Sequence, residues 1–127
     1  MLVKISGYKQ RCTIWGIYTV LIAVASLAPS SSFKDTPSFL HADKIIHFIM
    51  YGAQAVLLLW ALTPKLRKIT TRVILTILFC SAYGILMEIL QAKLQPNDRT
   101  FSIGDIIANI AGATCLSLIM IRRKPTK

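Results

Sequence analysis

Four long apolar segments, separated by short polar stretches, are the feature that most limits what this chain can fold into. They cover approximately residues 12–28, 43–62, 72–94 and 105–121. Each is close to the ~17–25 residues that an α-helix needs to cross the hydrocarbon core of a bilayer. Because backbone groups in lipid must be hydrogen-bonded within their own segment, each is expected to be a helix. The sequence therefore predicts an all-α membrane protein, a single domain over residues 1–127 with four transmembrane helices.

The composition agrees with lipid, not nucleic acid, as the main partner of the chain. Hydrophobic residues make up 54% of the sequence, the mean hydropathy is +0.59, and only 16% of residues are charged, against about 25% in a soluble domain. The net charge of +10 by itself suggests nucleic acid, but Lys and Arg occur in short clusters between the apolar segments. Such clusters are typical of the cytoplasmic loops of membrane proteins. We therefore expect a membrane lipid partner and no nucleic-acid partner.

The charges predict the orientation of the helices. Eleven of the 15 basic residues lie in the amino-terminal tail, the loop between the second and third apolar segments, and the carboxyl-terminal tail, with no acidic residue among them. All five acidic residues lie in or near the other two loops: Asp35, Asp43, Glu88, Asp98 and Asp105. The positive-inside rule then places both termini in the cytoplasm and the acidic loops on the outer side.

This orientation gathers a set of polar residues at one membrane depth. The second and fourth helices begin on the outer side, and the third helix ends there. Polar side chains where hydrocarbon begins are costly and commonly functional. One shared ligand-binding site is the simplest interpretation, with the candidates Asp43, Lys44, His47, Tyr51, Glu88, Gln91, Arg99, Ser102, Asp105 and Asn109.

Helical spacing favours the same grouping. Asp43, His47 and Tyr51 recur every four residues, so an acid, an imidazole and a phenol share one stripe of a helix. Glu88 and Gln91 share a face with Gly84. On the fourth segment, Gly104, Ala108 and Gly112 form a small-xxx-small pattern, which allows close approach of a neighbouring helix. The polar stripes are therefore expected to face the interior of the bundle.

Structural roles remain open for the same residues. Asp43 has the right position to stabilise the positive end of the second helix, and Ser102 with Asp105 forms a capping-box pattern. Packing, snorkelling or interhelical hydrogen bonding are alternatives for Lys44, His47, Tyr51, Gln91 and Asn109. Glu88 is the hardest to explain structurally, because a carboxylate inside lipid needs a partner such as Arg99, Lys44 or His47.

At these residues the sequence resembles the VanZ-like family of small membrane proteins. The resemblance covers about the last two-thirds of the chain, and the first helix matches only in character. Three motifs carry it, in the family's order: Asp43-Lys44-x-x-His47-Phe48-x-x-Tyr51-Gly52, Gly84-x-x-x-Glu88-x-x-Gln91 and Pro96-x-x-Arg99-x-x-Ser102-x-x-Asp105-x-x-x-Asn109-x-x-Gly112. The resemblance implies a multi-pass protein of the bacterial cytoplasmic membrane. The family takes its name from a protein of the cell envelope associated with resistance to the glycopeptide antibiotic teicoplanin, but the resemblance does not imply that this chain confers resistance.

Three functions are compatible with these residues. The first is binding of an envelope lipid, a lipid-linked precursor or a glycopeptide at the outer boundary of the membrane, with Lys44 and Arg99 contacting phosphate or carboxylate groups. The second is an enzyme acting on a lipid-linked phosphate or ester, with Glu88, His47 and Asp105 as candidate catalytic residues. The third is a purely structural polar network.

No cofactor is expected from the sequence. A metal site formed by His47, Glu88 and Asp105 is conceivable, but the positive charges of Lys44 and Arg99 argue against it, so we expect no bound metal. The sequence makes no prediction about the oligomeric state.

Overall fold

Four α-helices account for most of the computed structural model, which describes residues 7–33 and 41–123. The helices are α1 (Tyr8–Leu27), α2 (Ala42–Leu62), α3 (Ile69–Leu94) and α4 (Ile103–Arg122), and a short 3₁₀ turn covers Ser30–Phe33. No strand occurs within the described ranges. The predicted all-α architecture with four helices is confirmed.

Several helices are longer than the apolar segments that predicted them. α1 begins at Tyr8 instead of residue 12, and α3 begins at Ile69 instead of residue 72. The additional turns contain polar residues such as Lys9 and Arg11. Hydropathy marks only the part of a helix that lies in hydrocarbon, whereas the hydrogen-bonded helix continues into the headgroup region.

The exterior of the bundle is apolar. All four helices are long and apolar enough to cross a membrane, with mean hydropathies of 1.3 to 2.2. Large aliphatic side chains such as Val24, Ile49, Leu78 and Ile107 are each about 60% exposed or more. In water this surface would be strongly unfavourable, whereas lipid is a suitable solvent for it. The chain is a multi-pass membrane protein by these criteria.

α2 and α4 form the most extensive helix–helix contact of the bundle. A Cβ atom built on Gly112 would lie 2.1 Å from the carbonyl oxygen of Phe48, and one on Gly52 would lie 2.9 Å from Leu116 Cγ. α2 and α4 run parallel, because α3, which lies between them in the sequence, crosses the bundle in the opposite direction. The close approach predicted from the small-residue pattern is thus confirmed for Gly112, with α2 as the neighbour.

α1 is attached to the rest of the bundle through backbone carbonyl oxygens and buried side chains. Tyr83 donates its hydroxyl to the Thr19 carbonyl oxygen at 2.7 Å, and Tyr18 donates to the Met50 carbonyl oxygen at 2.9 Å. Ile22 is 1% exposed and belongs to the core. These contacts fix α1 against α2 and α3.

The two ends of the bundle differ in charge. One end, called the basic end here, contains the α2–α3 loop and the described parts of both termini, with Arg11 donating to the Trp60 carbonyl oxygen at 3.1 Å. The other end, called the polar end, contains the amino-terminal turns of α2 and α4 and the carboxyl-terminal turns of α1 and α3. Which end faces the cytoplasm stays a prediction from the positive-inside rule.

Replacing Gly112 by Ala is predicted to destabilise the protein, because the added methyl group would overlap the Phe48 carbonyl oxygen. Overpacking of this kind typically costs about 1–3 kcal/mol. The free energy of unfolding in detergent, measured by chemical denaturation, tests this. Gly16→Ala is the matched control, since a Cβ atom at Gly16 has nothing within 4 Å. Equal stabilities of the two variants would contradict the close α2–α4 approach.

Candidate functional site

The polar end brings the amino termini of two helices side by side. α2 begins at Ala42 and α4 begins at Ile103, and the helices are parallel neighbours. Each amino terminus carries a partial positive charge and several backbone N–H groups without a partner in the helix. Acidic residues occupy the first turn of both helices, Asp43 in α2 and Asp105 in α4. This arrangement favours negatively charged groups at the polar end, whether side chains or ligands.

The start of α4 is held by Ser102 and Glu88. Ser102 is the N-cap residue, and its hydroxyl oxygen accepts the backbone N–H of Asp105 at 3.2 Å. In a complete capping box the Asp105 side chain would accept the N–H of Ser102. That N–H instead donates to Glu88 Oε2 at 3.1 Å. The first hydrogen bond of the predicted capping box, from the Asp105 N–H to the Ser102 hydroxyl, is confirmed. In the second, Glu88 takes the place of Asp105 as the acceptor, so the Asp105 side chain faces α2.

Three side-chain contacts connect α2 to α4. Lys44 Nζ lies 3.3 Å from Asp105 Oδ1 and 3.0 Å from Asp43 Oδ2. His47 Nδ1 lies 2.9 Å from Asn109 Oδ1, and His47 Nε2 lies 4.0 Å from Asp105 Oδ2. Residues that are about 60 positions apart in sequence therefore meet, as the shared depth of the helix ends predicted.

Tyr51 and Gly84 form the base of this cluster. The Tyr51 ring is parallel to the His47 ring, with centroids 6.3 Å apart, and Tyr51 is completely buried. A Cβ atom on Gly84 would lie 2.7 Å from Asn109 Nδ2 and 3.2 Å from Tyr51 Cε1. Gly84 thus provides the space in which these two side chains pack, a role that spacing alone did not reveal.

Gln91 does not join the cluster. Its side-chain amide donates to the Ser26 carbonyl oxygen at 2.6 Å, and Gln95 donates in the same way to the Leu27 carbonyl oxygen at 2.6 Å. Both acceptors lie in the last turn of α1, where carbonyl groups have no partner in the helix. Gln91 was predicted as a ligand-binding residue, and the structure gives it a contact with α1. The signal available in the sequence was the spacing of the two glutamines, four residues apart in the last turn and at the C-cap of α3.

Arg99 lies in the α3–α4 loop at the edge of the cluster. It is half-buried and acts electrostatically on both Glu88 and Asp98. Asp98 also accepts hydrogen bonds from the Ser30 hydroxyl and from the Ser30 backbone N–H, the latter at 2.9 Å. These hydrogen bonds, together with the charge of Arg99, lower the pKa of Asp98 below its usual value. The loop is thereby tied to the segment that follows α1.

The cluster is graded from exposed to buried. The side chain of Lys44 is 38% exposed, those of Asp105 and His47 are 15% and 12% exposed, and Glu88 is 1% exposed. Glu88 has the partners that a buried carboxylate requires: the Ser102 N–H as a direct donor, Arg99 through its charge, and His47 when its ring is protonated. Lys44, the third predicted partner, pairs with Asp105 and Asp43. Chemically, the cluster combines a cation near solvent with an imidazole and carboxylates behind it.

Glu88→Leu is predicted to lower the free energy of unfolding by about 1–3 kcal/mol, because the partly buried N–H of Ser102 would lose its acceptor. Glu88→Gln keeps an oxygen at this position and is expected to be closer to the wild type. Denaturation in detergent provides the measurement, and Ile89→Leu, at an exposed neighbouring position, serves as the control. Equal stability of the Leu and Gln variants would show that Glu88 does not hold the start of α4.

Comparisons with known proteins extend the resemblance to nearly the whole chain. The model of the VanZ/LLP1 family matches residues 3–123, which include α1. A similar protein is an uncharacterized protein of Schizosaccharomyces pombe, 28% identical over 122 residues, an alignment that covers 95% of this chain and 70% of the relative. No solved structure gives a significant match. The protein described here belongs to the VanZ/LLP1 family.

Proposed function

We propose that this protein binds the phosphate-bearing headgroup of a membrane lipid or of a lipid-linked envelope precursor at the polar end. The observation that carries the proposal is the placement of Lys44 at the point where two helix amino termini meet, with Arg99 at the edge of the cluster in the loop that leads into α4. Charged hydrogen-bond donors and helix amino termini both favour phosphate. The side chain of Lys44 is 38% exposed beside Asp43, which is 60% exposed, so its ammonium group is accessible to an incoming anion.

The inner part of the cluster suits the rest of a polar headgroup. Asn109 is 1% exposed, and its Nδ2 has no hydrogen-bond partner. Unsatisfied buried donors cost free energy unless a ligand or water completes them. A headgroup with a sugar or amide oxygen offers the acceptor that Asn109 Nδ2 lacks.

An apolar groove next to the cluster fits the hydrocarbon part of such a ligand. It has a volume of about 460 Å³ and lies between α2 and α4, lined by Phe48, Ile49, Ala53, Val56, Leu57 and Leu116. Phe48 follows His47 directly in the chain, so the groove begins at the depth of the cluster. A lipid with its phosphate at Lys44 and a tail along α2 would occupy both the cluster and the groove. A glycopeptide with a lipid tail has the same two parts and is the alternative ligand of this class.

The proposal places the polar end on the extracytoplasmic side, with both termini in the cytoplasm, as the distribution of Lys and Arg predicts. Family membership supports a location in a membrane. Since the relative with 28% identity comes from fission yeast, the bacterial cytoplasmic membrane, and with it antibiotic resistance, stays a prediction for this chain.

Retention of lipid by the purified protein tests the proposal. We expect native mass spectrometry of protein in mild detergent to show a bound phosphate-bearing lipid, and Lys44→Ala and Arg99→Ala to weaken its binding by about tenfold or more, since each removes a charged hydrogen bond worth roughly 1.5–3 kcal/mol. Arg67→Ala and Lys68→Ala, at the basic end, are the matched controls and should retain the lipid. Unchanged retention in both polar-end variants would refute headgroup binding at this site.

A second candidate function is hydrolysis of a lipid-linked phosphate ester. It is favoured by the position of His47 between Asn109 and Asp105, which suits a proton carrier. Water would attack phosphorus, His47 Nε2 would accept the proton of the water, and the bond to the leaving oxygen would break as a carboxyl group protonates that oxygen. Release of phosphate from a polyprenyl phosphate by the wild type, lost in His47→Gln with lipid retention intact, would establish the enzyme. The absence of any turnover would leave binding alone.

A further inference from the structure

We propose that His47, Glu88 and Asp105 form a binding site for one divalent cation. The structure brings one imidazole nitrogen and one oxygen from each carboxylate to within 4.8 Å of one another. The three residues come from three different helices, α2, α3 and α4. The proposal concerns the cation alone and does not require that a lipid headgroup binds.

The distances are close to those that a metal ion needs. Ligand atoms about 2.0–2.2 Å from a tetrahedral metal lie roughly 3.3 Å from each other. His47 Nε2 and Asp105 Oδ2 are 4.0 Å apart. Small rotations of the side chains would therefore bring these ligand atoms to coordination distance without moving the helices.

The orientation of His47 is fixed in the way that metal ligands commonly are. Its Nδ1 lies 2.9 Å from Asn109 Oδ1. Because a carbonyl oxygen only accepts, the hydrogen of a neutral His47 is on Nδ1, and the lone pair is on Nε2, the nitrogen that faces Asp105. A hydrogen bond from the second ring nitrogen to an oxygen acceptor is the usual support of a ligating histidine. Asn109 is itself 1% exposed and packed in the space that Gly84 provides.

Asp105 uses its two oxygens for different neighbours. Oδ1 is paired with Lys44 at 3.3 Å, while Oδ2 faces His47. The Ser102 N–H fixes the Glu88 carboxylate through Oε2, so both acidic ligands are held by hydrogen bonds or ion pairs with residues other than the three proposed ligands. Such outer contacts position carboxylates for a metal ion.

The charge distribution also admits a cation, contrary to the expectation from the sequence. That expectation assumed that Lys44 and Arg99 would repel a metal ion. In the structure, Lys44 lies on the outer side and pairs with Asp43 as well as with Asp105. The cluster contains three carboxylates for these two basic side chains, and Glu88 is 1% exposed. A buried carboxylate is costly in low dielectric, and a divalent cation between Glu88 and Asp105 offsets this cost.

The ligand set narrows the choice of metal. Carboxylate oxygens suit Mg²⁺, Ca²⁺ and Mn²⁺, whereas imidazole favours Zn²⁺ and other late transition metals. One imidazole with two carboxylates lies between these classes, and Mn²⁺ and Zn²⁺ fit it best. Three protein ligands leave a position to which an oxygen of a phosphate or water can bind.

Mn²⁺ binding to the purified, chelator-treated protein tests this site. We expect electron paramagnetic resonance to show one Mn²⁺ bound per chain, displaced by Zn²⁺. His47→Gln, Glu88→Gln and Asp105→Asn should each weaken binding by at least about tenfold, and Asn109→Ala by roughly 10–100-fold. His41→Gln is the matched control, since it removes the exposed imidazole at the amino-terminal end of α2, which lies outside the triad, and should bind as the wild type does.

Some outcomes would overturn the proposal. No Mn²⁺ or Zn²⁺ binding by the wild type at millimolar free cation would do so, as would equal loss of binding in His41→Gln and the triad variants. If the variants do not fold, nitrogen coupling to Mn²⁺ in the wild type, unaffected by His41→Gln, identifies His47 as a ligand, and its absence refutes the site. Lipid retention measured on the same samples shows separately whether headgroup binding holds.

Discussion

The parallel contact between α2 and α4 is the interaction on which the remaining features of this protein depend. It is closest where Gly112 meets the backbone of Phe48, at a distance that leaves no room for a Cβ atom. One turn away lies the His47–Asn109 contact, and a further turn away the Lys44–Asp105 pair. Each contact joins positions 61 to 64 residues apart, so a change of register at Gly112 would separate all of them. The packing of the backbone thus positions the charged cluster.

Parallel packing also has an electrostatic consequence. Two helices that run in the same direction bring their amino termini together, and their partial positive charges add at one end of the bundle. Asp43, Asp105 and Glu88 partly neutralise this charge. The same field favours an anionic ligand at the entrance, while the buried carboxylates behind it favour a cation. The proposed headgroup site and the proposed cation site would therefore both depend on this one arrangement of helices.

The sequence predicted the four helices because hydropathy over a length sufficient to cross a bilayer has few other interpretations. It also predicted that the amino termini of α2 and α4 lie at the same depth as the carboxyl terminus of α3, because helices of similar length that cross a membrane in alternating directions end at the same two depths. The sequence did not predict the contacts that depend on how each helix is rotated about its own axis. Gln91 faces α1 instead of the cluster, and the acceptor of the Ser102 N–H is Glu88 instead of Asp105. The role of Gly84 was missed for the same reason, because its neighbours Tyr51 and Asn109 belong to other helices.

The central claim, that a phosphate-bearing lipid occupies the polar end, is tested most directly by photo-crosslinking in intact cells. A photoreactive amino acid at Phe101, which is exposed beside Arg99 and Ser102, probes the polar end, and one at Ile119, equally exposed near the end of α4, probes the basic end. Mass spectrometry of the adducts identifies the captured lipids. The account predicts one phosphate-bearing lipid class enriched at position 101, with only bulk membrane lipids at position 119. The same mixture of bulk lipids at both positions would contradict it.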